Sequence, residues 1–261
     1  MSVENPIDGT LLRWGRTGSG PPLVLVHGSA SDRVTTWQST APLLEDRFTI
    51  YALDRRGRGE TGDSDGYAFE REALDVATVV AAIDGPVSVV GHSFGALCAL
   101  EAAKLTDGLD RLVLYEPPFR EAAGATTDTI DRLHIHRQQA NPEGVLRTFF
   151  RDLVGMPDHV VESLRAMPNW ERRVAIAETI PRELMAVMHH PFVPDKYREV
   201  EVQTLVLAGE ESAFVHQDPL VDLAEVLPAS ALEVVSGRGH ALMHTDPELL
   251  ATLVSDHVLG S

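Results

Sequence analysis

The sequence is short of basic charge, nearly free of cysteine and without a long apolar run, and each shortage narrows the field. Lysine and arginine number 22 against 39 aspartates and glutamates, a formal net charge of −17 at neutral pH. A field of that sign repels phosphate backbones and anionic lipid surfaces, so no nucleic-acid partner and no membrane partner is expected. The one basic knot, Arg55-Arg56-Gly57-Arg58, is too short to make a binding stripe, and its charges are expected to pair locally. A single cysteine, Cys98, cannot close an internal disulfide; a buried apolar role suits it, and a reducing cytoplasm is the expected location. The opening MSVENPIDGT is polar and acidic, unlike a secretory leader, and no run approaches membrane-spanning length. What remains, 261 residues of which 44% are hydrophobic, suffices for one sizeable core, or one domain with an inserted lobe.

The stretch that organises the chain is Val87–Thr106. A β-branched run, Val87-Ser88-Val89-Val90, enters Gly91-His92-Ser93-Phe94-Gly95, and an alanine- and leucine-rich helix pattern follows with no polar loop between. Only a very sharp turn joins such a strand to such a helix. Glycines at 91 and 95 remove the Cβ atoms that would clash there, and Ser93 is pushed out at the positive end of the new helix. The Gly-x-Ser-x-Gly pattern alone is weak. Its strand–turn–helix setting makes Ser93 a candidate nucleophile rather than an idle turn serine.

Taken in order, edge strands around Leu11–Trp14 precede the apolar run Leu23–Val26, which suits a parallel strand covered on both faces. A helix over Thr35–Leu44, a strand over Phe48–Leu53, a helix over Phe69–Ile83, the Val87 strand with its helix, and a strand over Arg111–Tyr115 follow. This alternation predicts βαβ units and a parallel sheet with helices on both faces. His27, Asp54, Ser93 and Glu116 all fall at strand carboxyl ends, where ligands bind in such folds. The rhythm breaks over 119–201, where only helix patterns appear, near Pro142–Val154, Asp158–Leu164, Glu171–Thr179 and Pro181–Met188. Alternation resumes with Thr204–Ala208, a helix near Pro219–Val226, a strand over Leu232–Val235 and a closing helix around Pro247–Val258. The expected organisation is a core of residues 1–118 and 202–261 with a helical cap over 119–201.

Six segments, Leu23–Ala30 (LVLVHGSA), Leu53–Gly59 (LDRRGRG), Val89–Gly95 (VVGHSFG), Leu112–Pro117 (LVLYEP), Leu205–Glu210 (LVLAGE) and Gly237–Met243 (GRGHALM), together resemble the α/β-hydrolase family, in family order and over nearly the whole chain. The resemblance implies a mostly parallel α/β sheet, a helical cap over the site, and a Ser–acid–His triad in that chain order. Ser93 is then the nucleophile and His240 its base. The backbone N–H groups of Ser29 and Phe94 form the oxyanion hole. His27 and Gly28, the family's HG pair, and His92 on the elbow border the substrate, with His27 expected to order its loop by hydrogen bonding and His92 to pack beside the site.

The acid departs from the common pattern. Many relatives carry G-x-x-D after the strand corresponding to Thr204–Ala208; here the window is Gly209-Glu210-Glu211-Ser212, and a serine cannot stabilise an imidazolium by charge. Glu116, just past the strand after the nucleophile, is the leading substitute, as in some relatives that take their acid from that place. Pro117-Pro118 would fix its backbone. Glu210, Glu211 and the more distant Asp218 stay open. The pairs His134/His136 and His189-His190 lack companions at ligand spacing, so no metal and no organic cofactor is expected. Methionines and aromatics of the cap, among them Met156, Met167, Met185, Met188, Phe149, Phe150 and Trp170, would build the cap's own core and an adaptable apolar ceiling over Ser93.

The expected activity is that of a serine hydrolase cleaving carboxylic esters or lactones of small to medium, moderately apolar molecules through an acyl-enzyme. C–C bond hydrolase or perhydrolase chemistry on the same triad is one alternative, and a non-catalytic ligand-binding protein on the same fold is another. The expected partner is a small-molecule ester or lactone, with a homodimer left open.

Overall fold

The computed structural model describes residues 1–119, 126–212 and 217–260. Its centre is one eight-stranded sheet. In chain order the strands are β1 (Ser2–Glu4), β2 (Leu11–Gly18), β3 (Pro22–Val26), β4 (Thr49–Asp54), β5 (Val87–His92), β6 (Leu109–Tyr115), β7 (Gln203–Gly209) and β8 (Ser230–Val235). They lie side by side as β1-β2-β4-β3-β5-β6-β7-β8. β1 and β2 pair antiparallel, as does β2 with β4, and every pairing from β4 to β8 is parallel. The strand order reverses at β3, which is flanked by β4 and β5. At such a switch point the loops diverge and leave a crevice beyond the carboxyl ends.

The continuous apolar runs are explained by cover on both faces. Val24, Val26, Val89, Leu112, Leu114 and Val206 face one core; Leu23, Leu25, Val90, Val113, Leu205 and Leu207 face the other. The first is roofed by helices α2 (Phe69–Ala81), α3 (Phe94–Ala102) and α9 (Asp218–Val226). The second lies under Trp37 of α1 (Arg33–Trp37) and under α10 (Leu242–Thr245) and α11 (Pro247–Leu259). Helix α3 is buried almost all round, including Cys98, as an elbow helix pressed between sheet and covering layer must be. Gly95 makes that approach possible: a Cβ there would stand 2.3 Å from the His27 carbonyl oxygen and 2.5 Å from that of Val26.

Between β6 and β7 the described chain is helical: α4 (Thr127–Gln138), α5 (Pro142–Thr148), α6 (Asp158–Arg165), α7 (Trp170–Ile176) and α8 (Ile180–Met188). The helix expected over Pro142–Val154 changes pitch at Phe149, where a π-helical segment runs to Leu153 and turns both phenylalanines inward. Two sequence readings fell short. The helix expected over Thr35–Leu44 is only α1, followed by a separate 3₁₀ turn at Ala41–Leu43 with Pro42 inside it. Helix α4 was not anticipated: its sequence TDTIDRLHIHRQ buries just Thr129 and Leu133, too little apolar periodicity to register. No described helix is long and apolar enough to cross a membrane.

Candidate active site

Strand β5 ends at His92, and Ser93 takes φ 53° and ψ −126° before α3 begins. Four described non-glycine residues have positive φ, and three of them, Ala30, Ser93 and Glu116, lie just past neighbouring strands β3, β5 and β6. Each such residue costs about 1–3 kcal/mol, so their clustering marks a place where the fold imposes backbone geometry for something other than stability. The neighbouring loops are locked together through the backbone: Ser93 N–H donates to the Tyr115 carbonyl at 2.8 Å, and Glu116 N–H to that of Leu207 at 3.0 Å.

Glu116 is fully buried. Its Oε1 accepts from Gly209 N–H at 2.7 Å, and its Oε2 accepts from the Ser212 hydroxyl at 3.0 Å and from His240 Nδ1. The structure thus brings Glu116 and His240 together across 124 positions of sequence. Ser212, standing where many relatives have an aspartate, becomes a donor to the carboxylate that reaches in from β6. Glu210 is turned away, held on the surface by the Ser236 hydroxyl at 2.6 Å and Gly237 N–H at 2.8 Å, which keep its carboxyl below the usual range. Glu211 donates its backbone N–H to Arg238, and Asp218 starts α9.

His240 sits in the loop between β8 and α10, pinned by Tyr115, which sequence reasoning did not single out, and by His92, which it expected to pack beside the site. The Tyr115 hydroxyl donates to the Gly239 carbonyl and accepts from Leu242 N–H at 3.3 Å, bracketing His240 on both sides. The His92 ring lies 4.7 Å from the His240 ring, centroid to centroid. His92 Nε2 bonds the His240 carbonyl at 3.0 Å, so that nitrogen carries the proton and donates, while Nδ1 is buried without a partner. Burial, with His240 close by, holds the His92 imidazole neutral, its pKa well below the ordinary value.

The loop after β3 approaches from the other side. A Cβ on Gly28 would come within 2.9 Å of Ser93 Cβ, so only glycine lets this loop touch the elbow. His27 is fully buried and has both ring nitrogens engaged: Arg55 N–H donates to Nε2 at 3.1 Å, and Nδ1 donates to the Gly28 carbonyl at 2.9 Å. Burial beside the Arg55 and Arg58 charges keeps it neutral. The structure therefore does not bring His27 to the substrate side; it orders the loop that carries Ser29. Asp54 is likewise occupied, accepting from Arg33 and from Glu60 N–H at 3.0 Å.

The Arg55 side chain is the least expected member. It is buried, lies 4.5 Å over the Phe94 ring, donates to the Gly28 carbonyl at 3.1 Å, and pairs with Glu72 of α2 and with Glu183 of α8. Arg58 also reaches Glu183, at 2.6 Å. The expected local pairing of the basic knot is not what the structure shows: its arginines reach Asp8, Glu72, Asp75 and Glu183, all distant in sequence. Two arginines of α7 grip the loop after β3: Arg172 pairs with Asp32 at 2.6 Å, and Arg173 donates to the Ala30 carbonyl at 2.5 Å.

Ser29, Ser93 and Phe94 line one small cavity of about 20 Å³, closed by Pro118, Phe149, Leu153, Ile180, Glu183, Leu184 and Val187. That is room for about one water molecule. A far larger groove, about 1240 Å³, runs past Tyr67, His134, Arg182 and His190 but includes neither Ser93 nor His240, so size does not mark the site here. Among the described residues no group of three or more histidines, cysteines and carboxylates is arranged to hold a metal.

Residues 23–253 match the profile of the alpha/beta hydrolase family. The chain belongs to that family. This α/β hydrolase is 40% identical over 111 residues to N-formylmaleamate deformylase of Pseudomonas putida, a match covering 41% of this chain and 40% of that protein. It is 25% identical over 262 residues to 2-hydroxy-6-oxo-6-(2'-aminophenyl)hexa-2,4-dienoic acid hydrolase of Metapseudomonas resinovorans, covering 92% of this chain and 84% of that one. Among solved structures, an alpha/beta hydrolase from Sphaerobacter thermophilus superposes with a TM-score of 0.85 at 29% identity, over 98% of this chain and 99% of that one.

Proposed function

We propose that this α/β hydrolase cleaves carboxylic esters or lactones through a covalent acyl-enzyme on Ser93. The observation that carries the reading is the buried Glu116 carboxylate bonded to His240 Nδ1, in a loop whose histidine ring packs tilted against His92, the residue preceding a strained serine. With Nδ1–H directed at Glu116, His240 Nε2 keeps its lone pair and takes the Ser93 proton as Oγ attacks the carbonyl carbon. The Ser29 and Phe94 N–H groups receive the negative charge that moves onto the carbonyl oxygen. The leaving alkoxide departs with the proton from His240. Water, deprotonated by the same nitrogen, then attacks the acyl-enzyme, and the acid leaves as Ser93 recovers its proton.

The narrow, mostly apolar cavity supports short acyl groups. The likeness to a deformylase and to a dienoic acid hydrolase supports including a formamide and an oxo-dienoic acid in the substrate panel. The test is hydrolysis of p-nitrophenyl acetate and butyrate by the purified protein beside Ser93→Ala, with fluorophosphonate labelling of both. Turnover and labelling that vanish in Ser93→Ala support the reading. A protein that neither turns over the panel nor takes the label refutes it.

A further inference from the structure

Glu183 has no part in the chemistry above, yet it stands in the wall of the Ser93 cavity, among Phe149, Leu153, Ile180, Leu184 and Val187. It is 1% exposed. A carboxylate in such a place normally has every lone pair engaged, because an unmatched buried acceptor is costly. Here one oxygen, Oε1, takes the charges of both Arg55 and Arg58, while the other, Oε2, accepts no bond at hydrogen-bond geometry, although the rotatable Ser29 hydroxyl of the same wall lies beside the carboxyl. Fastening α8 to the turn after β4 accounts for Oε1 and leaves Oε2 unexplained.

Burial pushes the Glu183 carboxyl up, but the two guanidinium charges, with the Ser29 hydroxyl beside them, hold it below its ordinary value. It is therefore ionised and can only accept. A purely alkyl acyl group would leave Oε2 unmatched, as would one carrying a carbonyl or ether oxygen. A hydroxyl or N–H would complete it.

We propose that Glu183 is a specificity-determining residue that accepts a hydrogen bond from a hydroxyl or ammonium group close to the scissile carbonyl, so that the enzyme prefers hydroxyacyl or aminoacyl substrates to their alkyl counterparts. This inference rests on the Ser93 reading above. Sites built to bond a substrate donor discriminate strongly against analogues that lack it, because the buried acceptor is then stranded. A single bond to a charged acceptor is worth about 10- to 100-fold.

The test compares p-nitrophenyl glycolate, glycinate, propionate and methoxyacetate on the full-length protein, with each kcat/KM divided by the ester's hydroxide-catalysed rate. Glycolate and propionate are nearly isosteric, and methoxyacetate keeps the oxygen but loses the donor. The expected result is a preference of about tenfold or more for glycolate, glycinate or both over propionate and methoxyacetate; which of the two leads tells hydroxyl from ammonium recognition. In Glu183→Gln the amide oxygen stays on the guanidiniums and the NH₂ turns to the cavity, so the preference collapses. Equal treatment of all four esters by an active wild type overturns the inference and leaves the Ser93 reading standing, as does a preference that survives in folded Glu183→Gln. If no ester is turned over and no fluorophosphonate label is taken up, both fall together. Should Glu183→Gln lack a cooperative urea transition, the wild-type ratios decide.

Discussion

Glu116→Gln isolates the orientation of His240 from its proximity. The amide oxygen can keep the 2.7 Å bond from Gly209 N–H, which places the amide NH₂ where Oε2 now meets His240 Nδ1. Two donors then face each other, and the imidazole must turn its lone pair to Nδ1 to relieve the conflict. Nε2 becomes the protonated nitrogen and can no longer deprotonate Ser93. An acid that fixes the tautomer is worth about 10⁴ in turnover, equivalent to about 5.5 kcal/mol of barrier. The expected outcome is that fall in kcat with little change in KM, measured by steady-state hydrolysis of p-nitrophenyl butyrate. Ser212 supplies the second half of the test, since its hydroxyl lies 3.0 Å from Oε2. Ser212→Asp added to Glu116→Gln sets a carboxylate beside Nδ1 and should restore part of the rate. Glu210→Gln should leave activity nearly unchanged, because that carboxylate bonds Ser236 and Gly237 instead. If Glu116→Gln stays within about tenfold of wild type, a loss of under about 1.4 kcal/mol, the assignment of Glu116 is refuted.

Two further perturbations reach the supports of the site. Tyr115→Phe removes the hydroxyl that bridges the Gly239 carbonyl and Leu242 N–H around His240; urea titration should show a loss of about 1–2 kcal/mol, and kcat should fall more than KM changes. An unaltered kcat would mean that the tyrosine does not hold the histidine loop. His27, whose ordinary pKa is 6.5, is buried neutral with a folded-state value far below that. The unfolded chain therefore binds the extra proton as pH drops under 6.5: stability is full above that pH and declines below it, by up to about 1.4 kcal/mol per pH unit for this residue. Between pH 6 and pH 5 the decline in unfolding free energy should be shallower in His27→Gln by roughly that amount, and equal slopes in the two proteins would show that His27 is not neutral in the fold.

Much of this protein was legible from sequence because it is local. The strand–turn–helix at Val87–Thr106 is set by neighbouring residues whose backbone and Cβ constraints act within a few positions, so the elbow and the place of Ser93 follow directly. The same holds for the buried parallel strands, whose apolar runs declare that both faces are covered. The α4 helix escaped notice since its pattern carries almost no apolar face.

Sequence could rank the carboxylates but not aim them. Glu116, Glu210 and Glu211 are chemically equivalent in the chain; which of them meets His240 depends on how β6, β7 and the loop after β8 stack side by side, and the parallel register of those strands turns Glu116 inward and leaves Glu210 at the rim. Glu183 lies still further from sequence logic, 128 positions from the arginine it pairs with. Its arrival beside Ser93 is a product of packing α8 over the sheet's carboxyl ends. Short-range sterics fixed the elbow and the strands, whereas burial of charge against distant partners, a property of the folded interior alone, set Glu116 against His240 and Glu183 in the wall of the Ser93 cavity.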